Sequence, residues 1–258
     1  MRPRIAAFSL LFLVACASPP ATTLIAQSEP ALLLLGEQHD DPAHHEQERA
    51  MVHALARRAT LAALALEMAD SGTGTAMLAP HAGEEDVRRA LRWDGQGWPW
   101  ADYAPAIMAA VAAGVPVVGV NLERARLRTA MTDSSLDTAL PAAAMQAQQQ
   151  AIRDGHCGLL PESQIVPMTR MQVARDRHMA LALAALVVPG KTVLLIAGAG
   201  HVDPQLGVPW HLPRALTSRS IVFPTPPIPK RDYCDDLRRS LSPPAAPEPL
   251  PKASSSQP

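Results

Sequence analysis

The chain has 258 residues, of which 48% are hydrophobic and 3% aromatic, and 23 basic against 24 acidic side chains give a formal net charge of −1. This length and apolar content are sufficient for one domain with a sizeable core. The near balance of charges provides no basic surface, so nucleic acid is excluded as an expected partner.

The first residues have the pattern of a bacterial export signal. Arg2 and Arg4 form a short positive region, and the apolar run Ile5–Leu13 follows them. This run is shorter than the roughly 20 apolar residues that a membrane-spanning helix needs. A short apolar run behind a positive start is typical of a cleavable signal peptide, which we expect over residues 1–15.

The apolar run ends in Leu13-Val14-Ala15-Cys16, which resembles the lipobox of bacterial lipoproteins. Cleavage before Cys16 would make it the first residue and the site of acylation, by palmitate among other chains, and several chains anchor a protein stably to a membrane. Since Ala17 is not Asp, the resemblance favours the outer membrane, facing the periplasm. The alternative is an ordinary secretory signal cleaved at Ala15 or Ala17.

Two segments flank the expected domain, which covers residues 30–223. Residues 16–29 are small and polar enough to form a tether. Ten of the 26 prolines lie in residues 224–258, so we expect a disordered or polyproline-like tail. An exported protein is in an oxidising compartment, where Cys157 and Cys234 could pair, but two cysteines alone leave the pairing open.

Between residues 30 and 223, short apolar runs alternate with longer Ala-rich helical segments. The runs are Ala31–Leu35, Leu61–Leu66, Val115–Val120, Thr192–Ala197 and, as a fifth, Ile221–Phe223. The helical segments are Pro42–Ala59, Glu84–Leu91, Tyr103–Ala113 and the long stretch Leu136–Val188. Continuous apolar runs predict strands that are buried on both faces. We therefore predict a single α/β domain with a mostly parallel sheet flanked by helices, and a helical excursion between the third and fourth strands.

Polar side chains follow each of the first four predicted strands. They are Glu37 and His39, then Glu67, then Asn121, and then His201. Because parallel strands present their carboxyl ends at one edge, we expect these side chains to share one cleft. Carboxylates and imidazoles bind divalent cations, so Glu37, His39, Glu67 and His201 form a predicted metal site. Taken singly, each is as well explained as a loop or core residue.

The first predicted helix adds further polar side chains near this edge. His44 and Glu48 are four residues apart and share a helix face. One of His44 and His45 is expected to face the cleft and support its ligands, together with Asn121. The alternative is ordinary surface polarity at a helix start.

Four of the nine aromatic residues lie between Trp93 and Tyr103, in a segment interrupted by Gly and Pro. Such rings offer a large contact area, so this segment would suit a flat ligand. The alternative is a small satellite core beneath a loop.

Several segments together resemble the ChaN-like haem-binding-uptake family of the Tiki superfamily. The matching segments are Leu35–His45, Ala65–Met68, Gly97–Pro99 with Tyr103, Val117–Leu122, His156–Glu162, Gln172–Asp176, Ile196–Val202 and Gly207–Pro209. They are collinear over nearly the whole domain. The resemblance implies haem as the cofactor, a role in iron uptake, and a lipid anchor. Haem requires an axial ligand, and Tyr103 and His156 are the candidates, with the histidines at the strand ends as others.

The superfamily also includes metal-dependent peptidases with paired Gly-x-x-His motifs, which correspond here to Gly36–His39 and Gly198–His201. A bound divalent ion would lower the pKa of a water molecule, and Glu37 or Glu67 would act as the catalytic base. This chain has Ala199 where the motif is expected to carry Asn, which weakens the case for catalysis.

Three hypotheses follow from the sequence. The first is a membrane-anchored lipoprotein that binds haem in iron uptake, and the second is a metal-dependent hydrolase. The third is a non-catalytic binding module of the cell envelope whose proline-rich tail recruits a partner. A flat ligand shared across a two-fold axis would be compatible with a homodimer.

Overall fold

The computed structural model describes residues 29–95, 97–224 and 233–241. Its five strands are β1 (Leu32–Glu37), β2 (Leu61–Asp70), β3 (Val117–Asn121), β4 (Thr192–Gly198) and β5 (Ser218–Val222). They form one sheet in the order β3-β2-β4-β1-β5, and every neighbouring pair is parallel. The predicted parallel α/β fold is confirmed.

Helices cover both faces of this sheet. Those in the described residues are α1 (Pro42–Arg57), α2 (Glu84–Ala90), α3 (Trp100–Ala112), α4 (Arg124–Ala130), α5 (Ala142–Gly155), α6 (Glu162–Leu186), α7 (Val208–His211) and α8 (Tyr233–Leu241). Because α4, α5 and α6 all lie between β3 and β4, the predicted helical excursion is confirmed. In the described part of the chain, no helix is long and apolar enough to span a bilayer.

Alternation along the strands divides the core between the two faces of the sheet. On one face, Leu33 and Leu35 of β1 pack with α1 and α3. On the other face, Leu32 and Leu34 pack with α6 and with Val208 of α7. Successive side chains of a strand point to opposite faces, so the unbroken apolar run of β1 contributes to both halves of the core.

The start of α1 is determined by its local sequence. Asp41 is the N-cap, and its carboxylate accepts a hydrogen bond from the backbone N–H of Ala43 at 2.9 Å. Pro42 occupies the first helical position, where its missing N–H costs nothing. The helix therefore begins only a few residues after β1, which keeps its first turn close to the carboxyl edge of the sheet.

The chain path places a crevice at the carboxyl ends of β2 and β4. From β2 the chain proceeds to β3 on one side, whereas from β4 it crosses β1 to reach β5 on the other side. In open parallel sheets, ligands bind at such a reversal of strand order. The functional side chains are therefore expected where these two neighbouring strands end.

Two strands differ from their sequence-based bounds. β2 continues to Asp70, so Glu67 lies within the strand and not after it. The pairing with β3 is interrupted between Leu66 and Asp70, and this irregularity explains why Glu67 still projects at the edge. β5 begins at Ser218, earlier than the predicted run, because it is an edge strand without a fully buried residue and so lacks a continuous apolar run.

The tail was predicted to be disordered or polyproline-like, but its segment Tyr233–Leu241 forms the helix α8. This stretch has no proline, carries acidic residues in its first turn and basic residues in its last turn, and so complements the helix dipole. Cys234 of α8 forms a disulfide with Cys157, which answers the pairing question left open by the sequence. The predicted signal peptide and Cys16 lie outside the described residues, as do residues 225–232 and 242–258 of the tail.

Candidate functional site

Glu37, at the end of β1, is the centre of the site. Its Oε1 accepts a hydrogen bond from His39 Nδ1 at 2.7 Å and another from the Tyr103 hydroxyl at 2.8 Å. Burial alone would raise the pKa of Glu37, but the hydrogen bond from His39 and the nearby His45 and Glu48 side chains outweigh it and hold the pKa below its usual range. Glu37 is therefore an ionised acceptor, and the proton of His39 is on Nδ1.

His39 is the most accessible of the predicted ligands. Its side chain is 32% exposed, and its ring lies edge-on to Trp98 with the ring centroids 4.4 Å apart. With the proton on Nδ1, the lone pair of Nε2 is available to a metal, the arrangement that a carboxylate commonly imposes on a ligating histidine.

Glu67 and His201 form a second, fully buried group. Glu67 Oε1 accepts a hydrogen bond from Arg175 at 2.5 Å and lies 3.1 Å from His201 Nε2. His201 Nδ1 lies 2.5 Å from Asp176 Oδ1. Burial would lower the pKa of His201, but the charges of Glu67 and Asp176 outweigh it and raise the pKa to about 9. His201 is thus an imidazolium held between two carboxylates.

Charged neighbours also shift the pKa of Glu67. Burial would raise its pKa, but the charges of His201 and Arg175 hold it well below the usual range. Its second oxygen accepts a hydrogen bond from the backbone N–H of Gly198 at 2.8 Å and lies 3.9 Å from His39 Nε2. Glu67 thus joins this group to His39, and the structure brings all four predicted ligands to one edge of the sheet.

Asn121 supports this arrangement from the end of β3. Its side-chain oxygen accepts hydrogen bonds from the Leu122 backbone N–H at 2.8 Å and from Arg175 Nε at 3.0 Å. Asn121 therefore orients the guanidinium that pairs with Glu67, which is the supporting position that the sequence predicted for it.

His44 and His45 point in different directions from the start of α1. His44 accepts a hydrogen bond from the backbone N–H of Gln38 and lies 3.3 Å from the carbonyl of Pro224, so it joins α1 to the chain after β5. His45 Nε2 lies 3.3 Å from Glu37 Oε2 and faces the site. Of the two histidines, the structure places His45 in contact with a predicted ligand.

Glu48 lies one turn further along α1 and faces the same carboxylate. It is 1% exposed. Burial and the nearby Glu37 raise the pKa of Glu48 to about 11, so it is a protonated acid beside an ionised one. A like charge next to a buried carboxyl group disfavours its ionisation in this way.

Tyr103 and His156, the two candidates for the haem ligand, are positioned differently from the site residues described above. Tyr103 is 1% exposed, and burial together with the charge of Glu37 raises its pKa, which disfavours the phenolate. His156 caps the end of α5, where its Nδ1 lies 2.8 Å from the carbonyl of Ile152. The Tyr103 hydroxyl already donates to Glu37, and the hydrogen bond of His156 is to its own helix and not to a residue of the site.

A cavity of about 410 Å³ lies beside the site at the ends of β2 and β3. It is lined by Asn121 and by Trp98, which contacts His39, but by none of the four predicted ligands. Its apolar walls also include Trp93 and Leu91, and its polar lining includes Arg92 and Arg124 together with Asp70 and Asp94. The volume is within the range of small-molecule pockets. Trp93 and Tyr103 belong to the main core and not to a separate satellite core, and Trp98 packs against that core as a partly buried residue.

Three residues of the site were not predicted as such from the sequence. They are Gln172, Arg175 and Asp176 of α6. Their spacing places all three on one helix face. A polar face on a helix that otherwise faces the core is the feature of the sequence that could have indicated these site residues. Glu48 was noted for its spacing from His44, but its partner is Glu37.

Comparison with protein families matches residues 25–212 to the family described as "Haem-binding uptake, Tiki superfamily, ChaN". This chain belongs to that family. The match includes every site residue described above, from Glu37 to His201. The resemblance seen in the sequence is confirmed. Among curated proteins, no significant match was found.

Two solved structures are similar to this chain. One is described as "Cofacial heme binding to ChaN of Campylobacter jejuni", with 21% identity, a TM-score of 0.67, and coverage of 81% of this chain and 86% of that chain. It supports the family's α/β fold. The other is the type III effector HopBA1, with 22% identity, a TM-score of 0.44, and coverage of 71% and 74%.

Proposed function

We propose that this protein binds haem at the carboxyl edge of its sheet, beside Trp98, with His39 as a ligand to the iron. The observation that carries the proposal is the match of residues 25–212 to a family described as haem-binding. The ChaN protein of Campylobacter jejuni is described as binding haem, and we extend that ligand to this chain.

The side chains at this edge fit the chemistry of haem. A porphyrin needs apolar and aromatic walls, which Trp93 and Trp98 supply on one side of the cavity. Its propionates need cationic partners, and a guanidinium binds a carboxylate in a two-point contact. Arg92 and Arg124, which line the same cavity, would bind these groups.

His39, one of the histidines at the strand ends, is a better candidate for the iron ligand than Tyr103 or His156. It combines partial exposure with a lone pair on Nε2, because Glu37 accepts the proton on Nδ1. Tyr103 is buried, and its hydroxyl already donates to Glu37. Haem iron supplies the ligand-binding and redox chemistry when bound, and the protein contributes the orientation and basicity of the imidazole.

A haem titration followed by its Soret band tests this assignment. We expect His39→Ala to shift the band and weaken binding, whereas Tyr103→Phe and His156→Ala should bind haem like the wild type. Retention of the wild-type spectrum by His39→Ala, with loss in Tyr103→Phe, would overturn the ligand assignment. Absence of any Soret band in the wild type would overturn haem binding itself.

We also propose that the chain is an exported lipoprotein, anchored through Cys16 in the outer membrane and facing the periplasm, where it acts in haem and iron uptake. The support is the signal-like N-terminus and the disulfide between Cys157 and Cys234, which suits an oxidising compartment. Intact-mass measurement of the membrane fraction tests the anchor. Cys16→Ser should accumulate as unprocessed precursor, and a wild-type chain without acyl mass would contradict the proposal.

A homodimer is proposed as the haem-loaded form. The Campylobacter jejuni protein is described as binding haem cofacially, and two haems stack face to face when two chains each contribute one. Light scattering with and without haem tests this, since a mass that stays monomeric under both conditions would exclude it.

A metal-dependent hydrolase is the second candidate, because Glu37, His39, Glu67 and His201 do converge. The hydrolase is the weaker candidate, because these side chains already form ion pairs with one another and with neighbouring residues. Glu67 is already neutralised by Arg175 and His201, and both nitrogens of His201 face carboxylates. Release of a peptide or ester product by wild type, and its loss in Glu67→Gln, would favour this candidate.

A further inference from the structure

We propose that Glu37, His45 and Glu48 bind one divalent transition-metal cation in the interior, on the side of Glu37 that faces away from His39. The three side chains come from β1 and α1 and have exposed fractions of 2%, 9% and 1%. One ligand atom from each lies within 4.8 Å of the other two. The haem-binding role proposed above uses Glu37 only to orient His39 and uses neither His45 nor Glu48, so variants of these two residues test the metal site separately.

The first support is a concentration of unpartnered polar atoms. In the described residues, eight buried side-chain nitrogen or oxygen atoms have no hydrogen-bond partner, and four of them belong to this cluster. They are Glu37 Oε2, His45 Nε2 and both carboxylate oxygens of Glu48. Buried polar atoms are nearly always satisfied, so four at one place indicate a ligand that contacts all three side chains.

The spacing of these atoms suits a small cation. His45 Nε2 and Glu37 Oε2 are 3.3 Å apart. A transition-metal ion bonds imidazole and carboxylate at about 2.0–2.2 Å, which allows two ligands of one ion to be up to roughly 4.4 Å apart. A cation between the three side chains is therefore compatible with their separation after small side-chain adjustments.

The two carboxylate oxygens of Glu37 face different groups of side chains. Oε1 accepts hydrogen bonds from His39 and Tyr103, which hold the carboxylate in one orientation. Oε2 is thereby directed to His45 and Glu48. An orienting hydrogen bond on one oxygen of a ligating carboxylate is a common feature of metal sites.

The types of donor atom and the lack of a Lys or Arg partner in the described residues also favour a transition-metal cation here. In the described residues, the ion-pair partners of Glu37 are two histidines, and no ion pair of Glu48 with Lys or Arg is present. The nearby Glu67, by contrast, is paired with Arg175. One imidazole and two carboxylates are the donor set that Mn²⁺, Fe²⁺ and Zn²⁺ accept, and the imidazole disfavours Ca²⁺ and Mg²⁺.

The purified chain, stripped with EDTA and dialysed, is titrated with MnCl₂ and with ZnCl₂ by calorimetry, without haem. We expect one ion per chain and a rise in the thermal midpoint. Glu48→Gln should weaken binding at least tenfold, since an amide is a poor metal ligand. Glu46→Gln is the matched control, because Glu46 is on the same helix but exposed, and it should bind like the wild type.

A second pair of variants keeps the proposal testable if Glu48→Gln does not fold. His45→Asn should lose the ion, whereas His53→Asn, at an exposed position of α1, should retain it. The variant His201→Ala, which leaves both hydrogen bonds to Glu37 Oε1 intact, should also retain it. Wild-type affinity in both Glu48→Gln and His45→Asn, or loss of the ion in His201→Ala alone, would overturn the proposal. A Soret titration of the same samples reports on haem separately.

Discussion

Glu37 and His39, two residues apart at the end of β1, are joined by a 2.7 Å contact between Oε1 and Nδ1. Because the carboxylate can only accept, this contact determines which nitrogen of the imidazole carries the proton. The ring that is most accessible at the carboxyl edge therefore presents a lone pair on Nε2, and the haem-binding proposal depends on this orientation.

Replacement of Glu37 tests the orienting contact. Glu37→Gln removes the obligatory acceptor and frees the imidazole to adopt other orientations, so we expect haem affinity to fall by about 10- to 100-fold, as for other partners of ligating histidines. Soret titration measures the change. Tyr103→Phe removes the other hydrogen bond to the same oxygen but leaves the imidazole contact intact, so it should bind haem like the wild type. Equal affinities for Glu37→Gln and wild type would show that the contact does not matter.

Gly198 provides a test with little effect on the fold. A Cβ at this position would lie 2.7 Å from His39 Nε2, while its backbone angles, φ −58° and ψ 147°, are accessible to alanine. Gly198→Ala should therefore displace the imidazole and reduce haem binding, with a thermal midpoint within a few degrees of wild type.

The matched control is Gly200→Ala in the same turn, since a Cβ there meets no atom within 4 Å. It should bind haem like the wild type. If Gly198→Ala binds haem normally, His39 Nε2 does not need this space and is not the ligand.

His201 should make the stability of the protein depend on pH. Its pKa is raised to about 9 from an ordinary value of 6.5, so the protonated ring stabilises the fold fully below pH 6.5 and less as the pH rises through 9. The free energy of unfolding should thus decrease over this interval, by on the order of 3 kcal/mol.

Urea unfolding at pH 6 and at pH 9.5 measures this difference. His201→Asn should remove most of it, because asparagine does not titrate, whereas His53→Asn should leave it unchanged. A pH dependence that persists undiminished in His201→Asn would assign it to other groups, such as His45, whose pKa is also raised.

The disulfide between Cys157 and Cys234 should contribute to stability. Their separation of 77 residues closes a long loop, and removal of a native disulfide typically costs about 2–5 kcal/mol. Cys234→Ser should lower the free energy of unfolding by this order, and Cys157→Ser by the same amount. The double variant should match either single one, since all three break one bond, and a clearly larger loss would show that the thiols act separately.

The strands and their common edge could be predicted from the sequence because burial leaves a short-range signal. Continuous apolar runs such as Leu32–Leu35 are buried on both faces of a parallel sheet, and the polar residue after each run then reaches the carboxyl edge by geometry alone. For the same reason Glu37, His39, Glu67 and His201 were predicted to meet. The helix around Cys234 was not predicted, because the prolines on both sides of this proline-free segment indicated a disordered tail throughout.

The pairing of these side chains was decided by the tertiary structure. Arg175 reaches Glu67 across 108 positions of the chain, and Glu48 faces Glu37 only because α1 packs against the sheet beside β1. Tyr103 is buried and donates to Glu37, although the family resemblance made it a candidate for the haem ligand. Hydrophobic periodicity records whether a residue is buried, but not its partner, because a polar contact depends on the packing of elements that are distant in sequence.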